Sequence, residues 1–357
     1  MRALVAWADD TSRNLGVRAL AHGAAALATR VWPDAEVDFQ NFGRGAAPMP
    51  VGRLRSLVKE RVTSRAGLLA WLSTYDVVLD TRSGDSFADI YGVRRLARMT
   101  AFAELAAQAG VPVVLAPQTI GPFGTRAGRA LGRRGLRRAA LVMSRDHEST
   151  AYATRLGRTP DVTTTDVVFA LPQPDAPRTR DVVLNVSGLL WQPGPHVDAT
   201  AYRGVVRGLL DGLAADGRTV TLLAHVLDSP LGDNDVPALR EVAAEWPDLE
   251  VVVPADLEEV RTVVASAEVV VGSRMHACLN ALSVGTPAVP LAYSRKFAPL
   301  LADLGWEHTV DLRTHADPVA AVRAAVALDG LDVAAKATRD RAQAMLRPAE
   351  DALRGLA

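Results

Sequence analysis

Short apolar runs alternate along the chain with longer stretches in which apolar residues recur at helical spacing. In the first half the apolar runs cover 3–8, 36–39, 76–80, 113–116 and 140–143, with a brief one at 162–165. The stretches between them, 17–30, 54–72, 94–109, 126–138 and 148–156, predict helices, the second in one or two pieces around Gly67. The second half repeats the rhythm. Strands are expected at 182–186, 219–224, 250–253, 269–271 and 288–293, and helices at 202–215, 237–246, 257–267, 277–283, 317–328 and 331–356. A polar loop is expected at 228–235. Continuous apolar strands separated by helices predict an α/β fold with parallel sheets covered on both faces.

The rhythm breaks once, at a segment carrying Pro172, Pro174 and Pro177 with Pro160 nearby. Proline density of this kind marks a linker. The expected organisation is therefore an N-terminal Rossmann-like domain over 1–170, a linker over 171–181, and a C-terminal Rossmann-like domain over 182–328. A C-terminal helix over 329–357 is then free to pack back on the first domain. A chain of 357 residues is long enough for two cores. In open α/β sheets ligands bind at the carboxyl ends of strands, so the cleft between the domains is the expected site.

Composition narrows the function by exclusion. Lys plus Arg and Asp plus Glu both number 40, so the formal net charge is zero. That gives no electrostatic reason to expect nucleic acid or an anionic membrane as partner. The single cysteine, Cys278, rules out a disulfide framework. The opening apolar run is too short for a signal peptide, and no run reaches the roughly 18 residues of a membrane span. A cytoplasmic protein is expected. No metal-ligand spacing, GxGxxG or Walker sequence, or GxSxG elbow is present, so no metal and no cofactor are expected.

Polar residues cluster where apolar runs end. Ser273, Arg274 and His276 follow the 269–271 run, and Lys296 follows the 288–293 run. Two cations and an imidazole at adjacent strand ends suit an anion, and a histidine at a helix mouth suits acid–base work near neutral pH. In the first half Arg145 follows a strand. It is either an ion pair with Asp146 or Glu148 or a clamp on carboxylate or phosphate. Asp85 either caps a turn or bonds a substrate hydroxyl, and Gln118 either ties a loop or binds a hydroxyl. Asn14 stands where the first helix begins, where a capping role alone would account for it.

These segments, in order, resemble a known family. Gly84-Asp85-Ser86-Phe87, Ala116-Pro117-Gln118-Thr119-Ile120-Gly121-Pro122-Phe123, Ser144-Arg145-Asp146, Gly272-Ser273-Arg274-Met275-His276-Ala277, Gly285-Thr286-Pro287 and Tyr293-Ser294-Arg295-Lys296 are similar to polysaccharide pyruvyl transferases over about residues 3 to 300. The resemblance implies a glycosyltransferase-B-like fold and transfer of pyruvate from phosphoenolpyruvate to two hydroxyls of a sugar, with release of phosphate. It puts Arg145, His276 and Lys296 at the positions for phosphoenolpyruvate, with His276 also a candidate general acid; Arg274, from its place after the 269–271 run, is expected to bind the same donor. Asn14, Asp85, Gln118 and Ser273 fall to the acceptor side. Two departures lie there: Val17 stands where the family often has Asp, and Arg82-Ser83-Gly84 replaces a triple glycine.

The expected partners are thus a small-molecule donor and a glycan or small-molecule acceptor. The alternatives are a nucleotide-sugar-dependent glycosyltransferase or epimerase on the same fold, family chemistry on a small-molecule acceptor, and a non-catalytic module that keeps the fold.

Overall fold

The computed structural model describes residues 1–228 and 233–356. The middle of the polar loop expected at 228–235 lies outside the described residues. The chain divides into two compact units. The first comprises 1–12, 20–171 and 343–357, and the second 13–19 and 172–342.

The first unit holds a six-stranded parallel sheet. Its strands are β1 (Arg2–Ala6), β2 (Glu36–Gln40), β3 (Val77–Asp80), β4 (Val113–Gln118), β5 (Leu141–Ser144) and β6 (Val162–Thr163), in the order β2-β1-β3-β4-β5-β6. β3, β4 and β5 are buried along their whole length, as strands with helices on both faces must be. β1 stops two residues before the expected end of its apolar run, because Trp7 turns to φ 68. Trp7 then packs edge-on against Phe102, with ring centroids 5.2 Å apart, inside the core. The predicted 54–72 helix is two helices, Leu54–Thr63 and Leu68–Leu72. They separate at Ser64 and Gly67, both with positive φ.

The second unit holds β7 (Arg180–Asn185), β8 (Val220–Leu223), β9 (Glu250–Val252), β10 (Ala267–Gly272), β11 (Ala288–Ala292) and β12 (Val310–Asp311). Their order is β12-β11-β10-β7-β8-β9, again all parallel. The helix Phe297–Asp303 and the two-residue edge strand β12 were not expected. Elements this short carry no readable periodicity. Carboxylates cap the helices Ala199–Ala215, Leu257–Ala265 and Pro318–Val326 by accepting from the first-turn amides of Ala201, Glu259 and Ala320.

Strand order decides where a ligand fits. In each sheet the chain reverses direction once, and the crevice beyond the strand ends opens at that point. In the first unit the reversal lies between β1 and β3. In the second it lies between β7 and β10, beside Asn185 and Gly272.

Candidate active site

In the second unit, polar side chains gather beyond the ends of β7, β8 and β10. Asn185, the last residue of β7, is fully buried. Its Nδ2 donates to Leu223 O at 3.0 Å, and its Oδ1 accepts from Arg274 N at 2.9 Å. The amide thereby locks the end of β10 to the ends of β7 and β8. Asp235 is the hub. Its Oδ1 accepts from Gly188 N (2.9 Å), Arg274 Nε (3.1 Å) and Arg274 Nη2 (2.7 Å). Its Oδ2 accepts from His225 N (3.0 Å) and Val226 N (2.8 Å). A Cβ on Gly188 would lie 1.7 Å from Asn234 O, so only glycine brings that N–H onto the carboxylate.

Arg274 is therefore not the free anion clamp that its position after β10 suggested. Its guanidinium is paired with buried Asp235 and with Asp233. Burial opposes its charge, but the two carboxylates outweigh burial and hold its pKa above the ordinary value. Ser273 is equally committed. Its Oγ is 2.8 Å from Tyr202 Oη, which in turn accepts from Ser187 N at 2.8 Å. Both Ser273 and Tyr202 are buried, which leaves Ser273 a positioning part rather than a contact for an acceptor.

His276 lies in the first turn of the helix Met275–Ser283 and is half-buried. Asn14 was expected with the acceptor residues of the first half. It belongs instead to the second unit, beside His276. Residues 13–15 run antiparallel to 225–227, with Leu15 N donating to His225 O (3.0 Å) and Leu227 N to Arg13 O (2.7 Å). Asn14 Oδ1 accepts from Gly16 N at 2.9 Å. A Cβ on Gly16 would stand 3.0 Å from His276 Nδ1 and 3.0 Å from Asn14 Oδ1. Gly16 thus lets the backbone press directly on the imidazole.

His225 sits next to this ring. Burial first, and then the neighbouring His276, push its pKa down to about 3. It is neutral, and its Nε2 lies 3.1 Å from Asn280 Nδ2, which makes Nε2 the acceptor and puts the proton on Nδ1. Lys296 stands at the start of the helix Phe297–Asp303, just beyond β11, the strand paired with β10.

Four contributors were missed in the sequence: Asp235, His225, Tyr202 and His196. His225 carried a signal, a polar residue directly after an apolar strand. Asp235 and Tyr202 carried none, since their roles depend on which strands are neighbours. His196 is in the Pro-Gly-Pro loop after β7, with its ring edge-on to Tyr293 at 5.2 Å. Burial and then the charge of Lys296 lower its pKa, with Asp233 opposing and Arg274 adding a little. His196, Lys296, Asp233 and Arg274 therefore share one neighbourhood. Cys278 is buried, with its thiol pushed up by burial, and it donates to Gly272 O at 3.4 Å, so it is no nucleophile.

The first unit holds the other expected residues. Arg145 is buried and does not pair with Asp146 or Glu148. Its Nη1 bonds Asp166 Oδ2 at 2.7 Å and its Nε bonds Thr119 Oγ1 at 3.0 Å, while its Nη2 has no partner among the described residues. Asp146 caps the helix His147–Arg155 instead. Gln118 is fully buried, and its Nε2 donates to Asp80 O and Ala116 O, both at 2.9 Å. Its Nε2 thereby ties β3 to β4, while its Oε1 has no partner among the described residues. Asp85 accepts from Tyr91 Oη at 2.7 Å at the mouth of the β1–β3 reversal.

The loop before Asp85 keeps a glycine-like backbone without the glycines. Arg82, Ser83 and Gly84 have φ of 46, 51 and 80. A non-glycine residue there costs about 1–2 kcal/mol. The buried Arg82 offsets this through its bond to Asp80 Oδ2 at 2.9 Å and its stacking over Phe87 at 4.7 Å. Ser83 contributes through its bond to Trp7 O at 2.8 Å.

The profile of the polysaccharide pyruvyl transferase family matches residues 14–295, most of the chain. The chain belongs to the polysaccharide pyruvyl transferase family. No curated protein sequence matches it closely enough to count as a relative. Among solved structures, it is similar to UDP-GlcNAc 2-epimerase from Methanocaldococcus jannaschii, with TM-score 0.55 and 11% identity over 92% of both chains. It is also similar to the UDP-GlcNAc 2-epimerase from Neisseria meningitidis, with TM-score 0.55 and 10% identity over 97% of this chain and 100% of that one. The spinosyn rhamnosyltransferase SpnG matches over the full length of both chains, with TM-score 0.53 and 16% identity. At these identities the likeness establishes the fold, which is glycosyltransferase-B-like. The protein is a transferase of that family. Among the described residues no helix is long and apolar enough to cross a membrane, and no group of acidic, His or Cys side chains could hold a metal ion.

Proposed function

We propose that the protein transfers pyruvate from phosphoenolpyruvate to two hydroxyls of a sugar or related diol, forming a ketal and releasing phosphate. The observation that carries this reading is His276. It stands at the β7–β10 reversal of a chain belonging to the pyruvyl transferase family, beside an imidazole that is already neutral. Lys296 and His196 flank the donor's charged groups, and Arg145 is assigned to the donor by the family pattern. Arg274 holds the site's frame.

In the reaction, His276 as imidazolium gives its proton to the methylene carbon of phosphoenolpyruvate, which leaves an oxocarbenium-like centre at C2. One hydroxyl oxygen adds to C2 and loses its proton. The bond from C2 to the phosphate oxygen then breaks, and the second hydroxyl closes the ketal. Of the two protons the diol gives up, one replaces that lost by His276 and the other leaves on phosphate. Lys296 stabilises the phosphate as charge builds on it. Asp85 is the candidate acceptor for a hydroxyl proton.

The test is phosphate release from phosphoenolpyruvate in the presence of a panel of glycan, lipid-linked and small-molecule diols. Removing a positioned acid costs about 100-fold or more in turnover, and His276→Gln is expected to lose that much. Turnover of His276→Gln near that of the wild type would remove the assigned role. Release of nucleoside diphosphate from a sugar nucleotide, with none of phosphate from phosphoenolpyruvate, would replace the reading with the glycosyltransferase one.

A further inference from the structure

The zero net charge of the chain hides a division. The first unit carries 23 Lys and Arg against 17 Asp and Glu, a formal +6, and the second carries 17 against 23, a formal −6. The excess in the first unit is concentrated on the helix Arg126–Arg138, which has six arginines and no acid in 13 residues. One face of this helix is built for close packing. Gly132 and Gly135 would each bring a Cβ against Phe123 or Phe87, at 2.6 and 3.2 Å, so only small residues let the helix lie on those rings. The other face is charged.

The six arginines divide by their partners. Arg134 pairs with Glu104 at 2.6 Å, Arg138 approaches the same carboxylate at 3.7 Å, and Arg129 folds back on Phe123 O and Gly124 O. Arg126, Arg133 and Arg137 are exposed and have no hydrogen bond or ion pair among the described residues. Spaced by seven and then four, they form one stripe about 16 Å long. Asp89 accepts from Gly124 N, Thr125 N and Thr125 Oγ1, at 2.7–2.8 Å, and so fastens its own loop to the start of this helix. That loop carries Ile90 and Tyr91, which are 62% and 48% exposed.

We propose that this face docks on an anionic phospholipid bilayer, with the arginine stripe on the headgroups and Ile90 and Tyr91 in the interface. Three arginines on one face of a helix can meet a plane together, and arginine stems carry their charge to headgroups while burying methylenes. An exposed Ile beside the stripe suits an acyl boundary better than a nucleic-acid phosphate backbone, which offers nothing apolar to it. Ile90, Tyr91 and the first turn of the Arg helix stand at the carboxyl-end edge of the first sheet, which is the ligand edge. The surface would present that edge to acceptors held at a membrane.

The experiment is co-sedimentation of the full-length protein with phosphatidylcholine vesicles, with and without about a third phosphatidylglycerol. Binding is expected to the anionic vesicles alone and to fall as salt rises. Each interfacial arginine is worth about fivefold in partitioning, so the triple variant Arg126→Gln, Arg133→Gln, Arg137→Gln should lose roughly 100-fold. Ile90→Ser should weaken what remains, and both variants should melt like the wild type. Equal binding to both vesicle types, wild-type binding by the triple variant, or no binding would overturn the proposal. So would retention on RNA or heparin without vesicle association, which would assign the stripe to a soluble polyanion. None of these outcomes depends on the donor or the reaction.

Discussion

Asp235→Asn should destabilise the second unit although the two side chains have almost the same shape. Each carboxylate oxygen of Asp235 faces only donors: Gly188 N, Arg274 Nε and Nη2 on one, His225 N and Val226 N on the other. Asparagine offers one acceptor and one NH2. If its oxygen stays with Arg274 and Gly188, its nitrogen confronts two buried N–H groups. Two unsatisfied buried donors cost about 2–6 kcal/mol together, and loss of the charge leaves Arg274 with only the more exposed Asp233. A cost of about 4 kcal/mol follows, in line with the roughly 3–5 kcal/mol for breaking a buried pair from one side. Equilibrium urea unfolding, with each transition fitted separately, measures it. Arg274→Met alone should cost a similar amount, and the double variant should fall short of the sum by about 1–3 kcal/mol. An Asp235→Asn protein within about 1 kcal/mol of wild type, or additive costs in the cycle, would refute the hub and return Arg274 to the pool of free anion binders.

Two further outcomes follow from the histidines. His225 has a folded pKa of about 3 against about 6.5 unfolded. The unfolded chain therefore binds the extra proton between those values, and stability falls as pH drops through that window. At pH near 4.5 the loss is about 2–3 kcal/mol, and His225→Gln should flatten that part of the urea stability profile. An unchanged slope would mean that His225 is not held neutral. His196→Gln should raise the KM for phosphoenolpyruvate by about tenfold, the worth of one hydrogen bond to a charged group, with kcat nearly constant. Steady-state kinetics in which KM does not move would remove His196 from the donor site.

Much of the fold was readable because parallel strands covered on both faces carry apolar runs, as 77–79 in β3, 113–116 in β4, 141–143 in β5 and 182–184 in β7 do. Strand order was not readable. It is fixed by which helices pack on which face, and it alone brings the end of β8 beside β7 and so His225 and Asp235 to Arg274. That is why Arg274 read as a free cation: its partners lie about 40 residues upstream, in a loop with no periodic signal. Asn14 read as a cap and did cap Gly16, but the antiparallel bridge to Val226 that sets it in the second unit has no local mark. The positions of His276 and Lys296 just beyond β10 and β11 were readable because polar residues follow an apolar run there.

A calorimetric titration tests, without knowledge of the acceptor, the proposal that this chain takes phosphoenolpyruvate as donor. Phosphoenolpyruvate should bind the wild-type protein, and Lys296→Met should weaken it roughly 10–100-fold, the worth of a charged hydrogen bond. UDP-GlcNAc should give no binding heat. Binding of UDP-GlcNAc with none of phosphoenolpyruvate, or phosphoenolpyruvate affinity untouched by Lys296→Met, would contradict the account.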